Sequence, residues 1–104
     1  MDKPEYKRND EMLVLCEIWD AGNTNEFYVT LDKTSWYVAG SEVRIKDLPG
    51  RHTWAPGEIK AIVREDYGDT VLIQIPHERI MGANPLEVSK HLIRLFPHEE
   101  YVAL

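Results

Sequence analysis

Glu58-Ile59-Lys60-Ala61-Ile62-Val63, then Glu65-Asp66-Tyr67-Gly68-Asp69, then Thr70-Val71-Leu72-Ile73-Gln74-Ile75 follow one another with only Arg64 intervening. In the first run Ile59, Ala61 and Val63 alternate with Glu58, Lys60 and Ile62; in the last, Val71, Ile73 and Ile75 alternate with Thr70, Leu72 and Gln74. A period of two sends one set to a buried face and the other outward, as in a half-buried strand. The polar stretch around Gly68 is a tight turn, so the two runs are predicted to pair as an antiparallel hairpin. Pro76 stops the second run because it has no N–H to give a ladder.

The same reading extends upstream. Val43 and Ile45 alternate with Glu42, Arg44 and Lys46, and Asp47-Leu48-Pro49-Gly50-Arg51-His52-Thr53 is a loop built on a Pro-Gly turn. Leu13-Val14-Leu15-Cys16-Glu17-Ile18-Trp19 is a β-rich apolar run closed by Asp20-Ala21-Gly22-Asn23-Thr24-Asn25. Glu26 to Leu31 resumes with Phe27, Val29 and Leu31 on one face and Glu26, Tyr28 and Thr30 on the other, which predicts a second hairpin, packed by Trp19 and Phe27. Trp36-Tyr37-Val38 is a third short extended segment. Adjacent strand residues point to opposite faces, so at most one of Trp36 and Tyr37 enters the core.

Downstream, two readings of Leu86 to Phe96 stand. One is a helix capped by Asn84 with Pro85 in its first position. The other is a single 3₁₀ turn over Val88 to His91 followed by a strand from Leu92 to Phe96. No repeat of fixed period and no low-complexity tract is visible. Short strands at roughly ten-residue spacing make an all-β domain, a small barrel or sandwich.

Composition narrows the classes. The chain has 104 residues, 43% hydrophobic and 29% charged, enough for one modest core. No apolar run reaches the ~18 residues of a membrane span, and the charged N-terminus lacks the apolar stretch of a secretory signal. An intracellular setting, cytoplasm or nucleus, is the expectation. Twelve basic residues face eighteen acidic ones for a net charge of -6, which argues against a phosphate-tracking surface and favours a basic protein tail as partner. One cysteine, Cys16, rules out an internal disulfide; within an apolar run it reads as a buried, inert thiol. His52, His77, His91 and His98 show no metal-ligand spacing. No nucleophile elbow and no Gly-rich phosphate loop is present. The expectation is a protein without catalytic residues, metal or cofactor.

From Gly40 onward the pattern resembles a Tudor-type SH3-like barrel. The residues that carry the likeness are Gly40-Ser41-Glu42-Val43-Arg44-Ile45, an aromatic ahead of a glycine and a strand in Thr53-Trp54-Ala55-Pro56-Gly57-Glu58-Ile59, the hairpin strand Gly68 to Ile75, and a closing turn and strand, Val88-Ser89-Lys90-His91-Leu92-Ile93-Arg94-Leu95. The chain departs from the family in the long stretch His77 to Leu86, where such barrels carry a tight acidic loop. The division this implies is a frayed polar leader over 1–10, an N-terminal β segment over 11–39, a barrel over 40–97 and a tail over 98–104. The segment 11–39 is either part of a second, abbreviated barrel or an added sheet.

The resemblance implies binding rather than catalysis: recognition of methylated lysine or arginine on a protein tail by an aromatic cage, in which a cation rests over ring faces. Trp54 and Tyr67 are the walls it suggests, Trp36 and Tyr37 further walls, and Asp47 and Asp66 the flanking acids. The competing readings are an accessory or inhibitory subunit that oligomerises through its N-terminal β segment, and an SH3-like barrel associated with nucleic acid.

Overall fold

The computed structural model describes residues 4–22, 25–46, 49–50, 53–77 and 79–96. Eight strands follow one another: β1 (Glu11–Asp20), β2 (Glu26–Leu31), β3 (Thr34–Ala39), β4 (Val43–Ile45), β5 (Trp54–Asp66), β6 (Thr70–Gln74), β7 (Leu86–Ser89) and β8 (Ile93–Leu95). Two 3₁₀ turns, Gly40–Glu42 and Lys90–Leu92, precede β4 and β8. All strands belong to one sheet in the order β3-β2-β1-β5-β6-β7, with β4 added to β5 and β8 added to β1. The sheet curls strongly into a half-barrel, so the all-β expectation holds while the outline is more open than a closed cylinder. No described helix is long and apolar enough to cross a membrane.

The predicted hairpins form. β5 and β6 pair antiparallel, with a register shift between Val63 and Glu65 that adds a bulge at Arg64. β1 and β2 pair from Glu17↔Thr30 to Asp20↔Phe27, and β2 continues into β3. The tail takes neither reading in full: Leu86–Ser89 is a strand, and the 3₁₀ turn starts at Lys90. The helix reading fails because Leu86 and Val88 alternate with Glu87 and Ser89 to complete the sheet beside β6. Asn84, read as a helix cap, instead brackets the end of β6, accepting from Ile75 N at 3.0 Å and donating to Ile75 O at 3.1 Å.

The chain order repeats. A long strand, two further strands, a 3₁₀ turn and a short strand occur as β1-β2-β3-turn-β4 and again as β5-β6-β7-turn-β8. Each half gives its last strand to the other's first: β4 pairs β5, and β8 pairs β1. The two long strands pair antiparallel from Glu11↔Ile62 to Trp19↔Trp54. At the centre Val43, Ile59, Val14 and Ile93 form one cross-strand row over β4, β5, β1 and β8. The row is related to itself by an approximate two-fold between Val14 and Ile59. Residues 11–39 are therefore part of the same sheet and the same core as the rest, not an appendage.

Inward sets predicted from alternation enter that core, namely Val29 and Leu31, Ile59, Ala61 and Val63, and Val71, Ile73 and Ile75, and they are joined there by Met12, Val14, Cys16 and Ile18 from β1 and by Trp36 and Val38 from β3. The expected fraying of 1–10 is corrected for residues 4–10. Tyr6 is buried and its N–H donates to Asp66 Oδ2 at 2.8 Å; Lys90 Nζ lies over the Tyr6 ring at 5.4 Å and donates to Pro4 O at 2.7 Å. Asn9 N and Asp10 O both bond Val63, which extends the pairing beside β5.

Candidate functional site

The outer face of the sheet carries an uninterrupted aromatic row. Trp54 on β5 faces Trp19 on β1, Trp19 faces Tyr28 on β2, and Tyr28 faces Tyr37 on β3. Each is the direct cross-strand partner of the next, so the four side chains emerge on one face. Tyr28 and Tyr37 have ring centroids 5.0 Å apart, tilted by 50°. Trp54 and Tyr37 are about half exposed, at 49% and 52%. Trp19 and Tyr28 are partly buried between them.

The central indole is fixed by polar contacts. Trp19 Nε1 donates to Thr30 Oγ1 at 3.2 Å, and that hydroxyl donates to Glu17 Oε1 at 3.2 Å. A groove of about 480 Å³ runs along the row, lined by Trp19, Asp20, Tyr28, Thr30, Tyr37 and Thr53. Asp20, exposed at the end of β1, lines the end of the groove, and its Oδ1 accepts from Gly22 N at 2.8 Å. Aromatic faces attract cations through the ring quadrupole.

The row is not a demand of the fold. In the second half the positions occupied by Trp19, Tyr28 and Tyr37 are taken by residues around Glu65, Leu72 and Glu87, which are likewise cross-strand partners. The same architecture is thus built with polar and aliphatic side chains there.

The residues singled out from sequence separate into distinct places. Trp54 and Tyr37 lie in the row. Trp36 is only 1% exposed and belongs to the core, on the opposite face from Tyr37, so it cannot form an open cage wall with Trp54. Tyr67 is exposed but follows the far end of β5 from Trp54. Thirteen residues at ~3.3 Å each put the two rings far beyond the ~6 Å reach of a shared cation. Asp66 is engaged structurally: Lys90 Nζ is 2.8 Å away, and the N–H groups of Tyr6 and Gly68 donate to it at 2.8 and 2.7 Å. These contacts, led by the Lys90 bond, hold its carboxyl down at about 2. Asp47 lies outside the described residues. Sequence reasoning missed the placement of Trp19 and Tyr28 in this row. Alternation already sent Tyr28 outward; the register that lines up all four rings was the missing information.

Cys16 is buried, and burial together with the Glu58 charge pushes its thiol up to about 12, which leaves no nucleophilic thiolate near neutrality. Among the described residues no group of three His, Cys, Asp or Glu side chains is placed to hold a metal ion. Comparison with protein-family models, with curated proteins and with solved structures returns no match for this chain.

Proposed function

We propose that this chain is a Tudor-like binding module that captures a cationic protein tail on the aromatic row of its first half, with a lysine or arginine side chain, methylated or not, seated in the groove between Trp19, Tyr28 and Tyr37. The observation that carries the reading is the Trp54-Trp19-Tyr28-Tyr37 ladder, present in one half and replaced in the other. A methylated ammonium sheds hydration readily and gains from each ring face, roughly 0.5–2 kcal/mol per contact. The net charge of -6 draws a basic tail toward the surface. The repeated strand-strand-strand-turn-strand order supports the SH3-like part of the reading, with two such units exchanging their final strands.

The test is calorimetric titration of the full chain with lysine-containing peptides in unmodified and trimethylated form. Binding that is tighter for the trimethylated peptide and about ten-fold weaker in Tyr37→Ala is expected. Glu87→Ala, at the matching place in the second half, leaves it unchanged. Light scattering separates the oligomer reading: a wild-type dimer that becomes monomeric in Tyr37→Ala makes the row a self-interface and overturns tail capture.

A further inference from the structure

β3 is an edge of the sheet, and among the described residues the chain pairs with that edge at a single bridge, Ser35↔Met81. Ser35 N donates to Met81 O and Met81 N to Ser35 O, both at 2.8 Å. Backbone groups along a strand alternate sides, so with those of Ser35 turned away from β2, those of Tyr37 are turned away as well. The bridge is antiparallel, and two residues further along each chain its register would bring Arg79 opposite Tyr37. The chain does not take that place. Arg79 N donates instead to His77 Nδ1 at 3.2 Å, His77 N donates to Ile75 O at 2.8 Å, and Pro76 has no N–H. No backbone group among the described residues meets the outward N–H or C=O of Tyr37. A groove of about 610 Å³ follows this length of edge, lined by Tyr37, Val38 and Ala39 of β3 and by Pro76, His77 and Arg79. Unpaired edge groups are a template for another strand.

We infer that the cationic tail joins this edge as a short added strand, antiparallel to β3, with its lysine opposite Tyr37; the inference rests on the tail-capture reading. Tyr37 ends the ladder Trp54-Trp19-Tyr28-Tyr37, so the residue that pairs with it on a new strand becomes the next member of the ladder, and its side chain leaves on the same face. That sets a lysine side chain beside the half-exposed Tyr37 ring, at the end of the groove that Tyr37 lines with Trp19 and Tyr28. The backbone of the same residue pairs with Tyr37 N–H and C=O, so main-chain bonds supply affinity while the rings select the side chain. The tail residue two places earlier falls opposite Ala39. Ala39 is the cross-strand partner of Glu26, which lines the same groove, and a long cation on the tail reaches over the small Ala39 side chain toward that carboxylate. Met81 closes the edge at Ser35, so the tail pairs only briefly and then departs. The recognised pattern, read from N to C, is a basic residue, any residue, then lysine.

The experiment is a calorimetric and nitrogen-15 NMR titration of the full chain with a capped peptide containing Arg-Ala-trimethyllysine, and with two forms of it, each N-methylated at one amide. Methylation of the trimethyllysine nitrogen removes the N–H that pairs with Tyr37 O and is expected to weaken binding about ten-fold. Methylation of the alanine nitrogen, which faces away from β3, is expected to change it little. The Tyr37 amide proton is expected to move downfield and to exchange more slowly in the complex. Replacing the peptide's arginine by alanine is expected to weaken binding about three-fold, a difference lost in Glu26→Gln. Saturable binding of the parent peptide, with the two N-methylated forms equal and the Tyr37 amide unmoved, overturns the added strand while capture on the rings stands. Absence of saturable binding by any of the peptides overturns both. Slowed Tyr37 exchange that grows with protein concentration in the absence of peptide assigns the edge to a second copy of the chain and overturns the proposal.

Discussion

Val14 and Ile59 are cross-strand partners at the point about which the two halves of the chain repeat. Val14 is backed by Ile93 and Ile59 by Val43, so each half's closing strand depends on the other half's opening one. Neither half has a complete sheet alone, and one hydrophobic cluster spans both.

Unfolding is therefore expected to be a single cooperative transition. Ile59→Ala, at a site 3% exposed, should lower stability by about 2–4 kcal/mol and shift that one transition as a whole. Denaturant melts followed by tryptophan fluorescence and by far-ultraviolet circular dichroism check this; two separated transitions would show that the halves fold independently.

Lys90 anchors the N-terminal segment. Its ammonium is nearly buried, pairs with Asp66 at 2.8 Å, caps Pro4 O and lies over Tyr6. Lys90→Met keeps the stem and removes the charge. A loss of about 2–3 kcal/mol is expected, less than the usual cost of breaking a buried pair because Asp66 retains the Tyr6 and Gly68 amides. A thermal melt of the variant measures it, and an unchanged midpoint would deny the anchor.

The Asp66 carboxyl, held at about 2 against an ordinary value of 3.8, makes part of the stability pH-dependent. A folded-state value below the unfolded one means that the ionised form stabilises the fold. That contribution is complete above the unfolded value and fades as pH falls from about 5 to about 2. Asp66→Asn should be less stable than wild type at neutral pH, and the gap should narrow over this acid window. A gap constant with pH would remove the ionic account.

Gly57 on β5 packs against Ile18 of β1 and Arg44 of β4. A Cβ there would stand 2.5 Å from Ile18 Cγ1 and 3.2 Å from Arg44 O. Gly57→Ala is expected to destabilise by about 1–3 kcal/mol, chiefly by forcing the buried Ile18 side chain of β1 out of its place, despite the usual gain from replacing glycine in a strand. Urea denaturation supplies the number, and a neutral or stabilised variant would show that the contact relaxes freely.

The strand pattern was largely legible because alternation is strict wherever one face is buried. Phe27, Val29 and Leu31, or Val71 and Ile73, announce their side without knowledge of partners. The repeat was not legible. Val38, Val43, Arg44 and Ile45 recur fifty positions on as Val88, Ile93, Arg94 and Leu95, whereas the matching strands β2 and β6 begin forty-four positions apart, so no single period exists. The site was half legible. Trp54 was suggested by the family resemblance, and alternation required one of Trp36 and Tyr37 to face outward without saying which; their neighbours depend on pairing between strands distant in sequence, Trp19↔Trp54 above all. Local pattern says nothing about that register. Tyr6 escaped notice because its burial depends on Lys90 and Asp66, more than fifty residues away.

The central claim is tested most directly by the three indole N–H signals during titration with a trimethyllysine peptide. The account predicts that the Trp19 and Trp54 signals move together and saturate while the Trp36 signal stays in place. Saturation with Trp19 and Trp54 unmoved, or no saturable change in any of the three, would contradict recognition on the aromatic row.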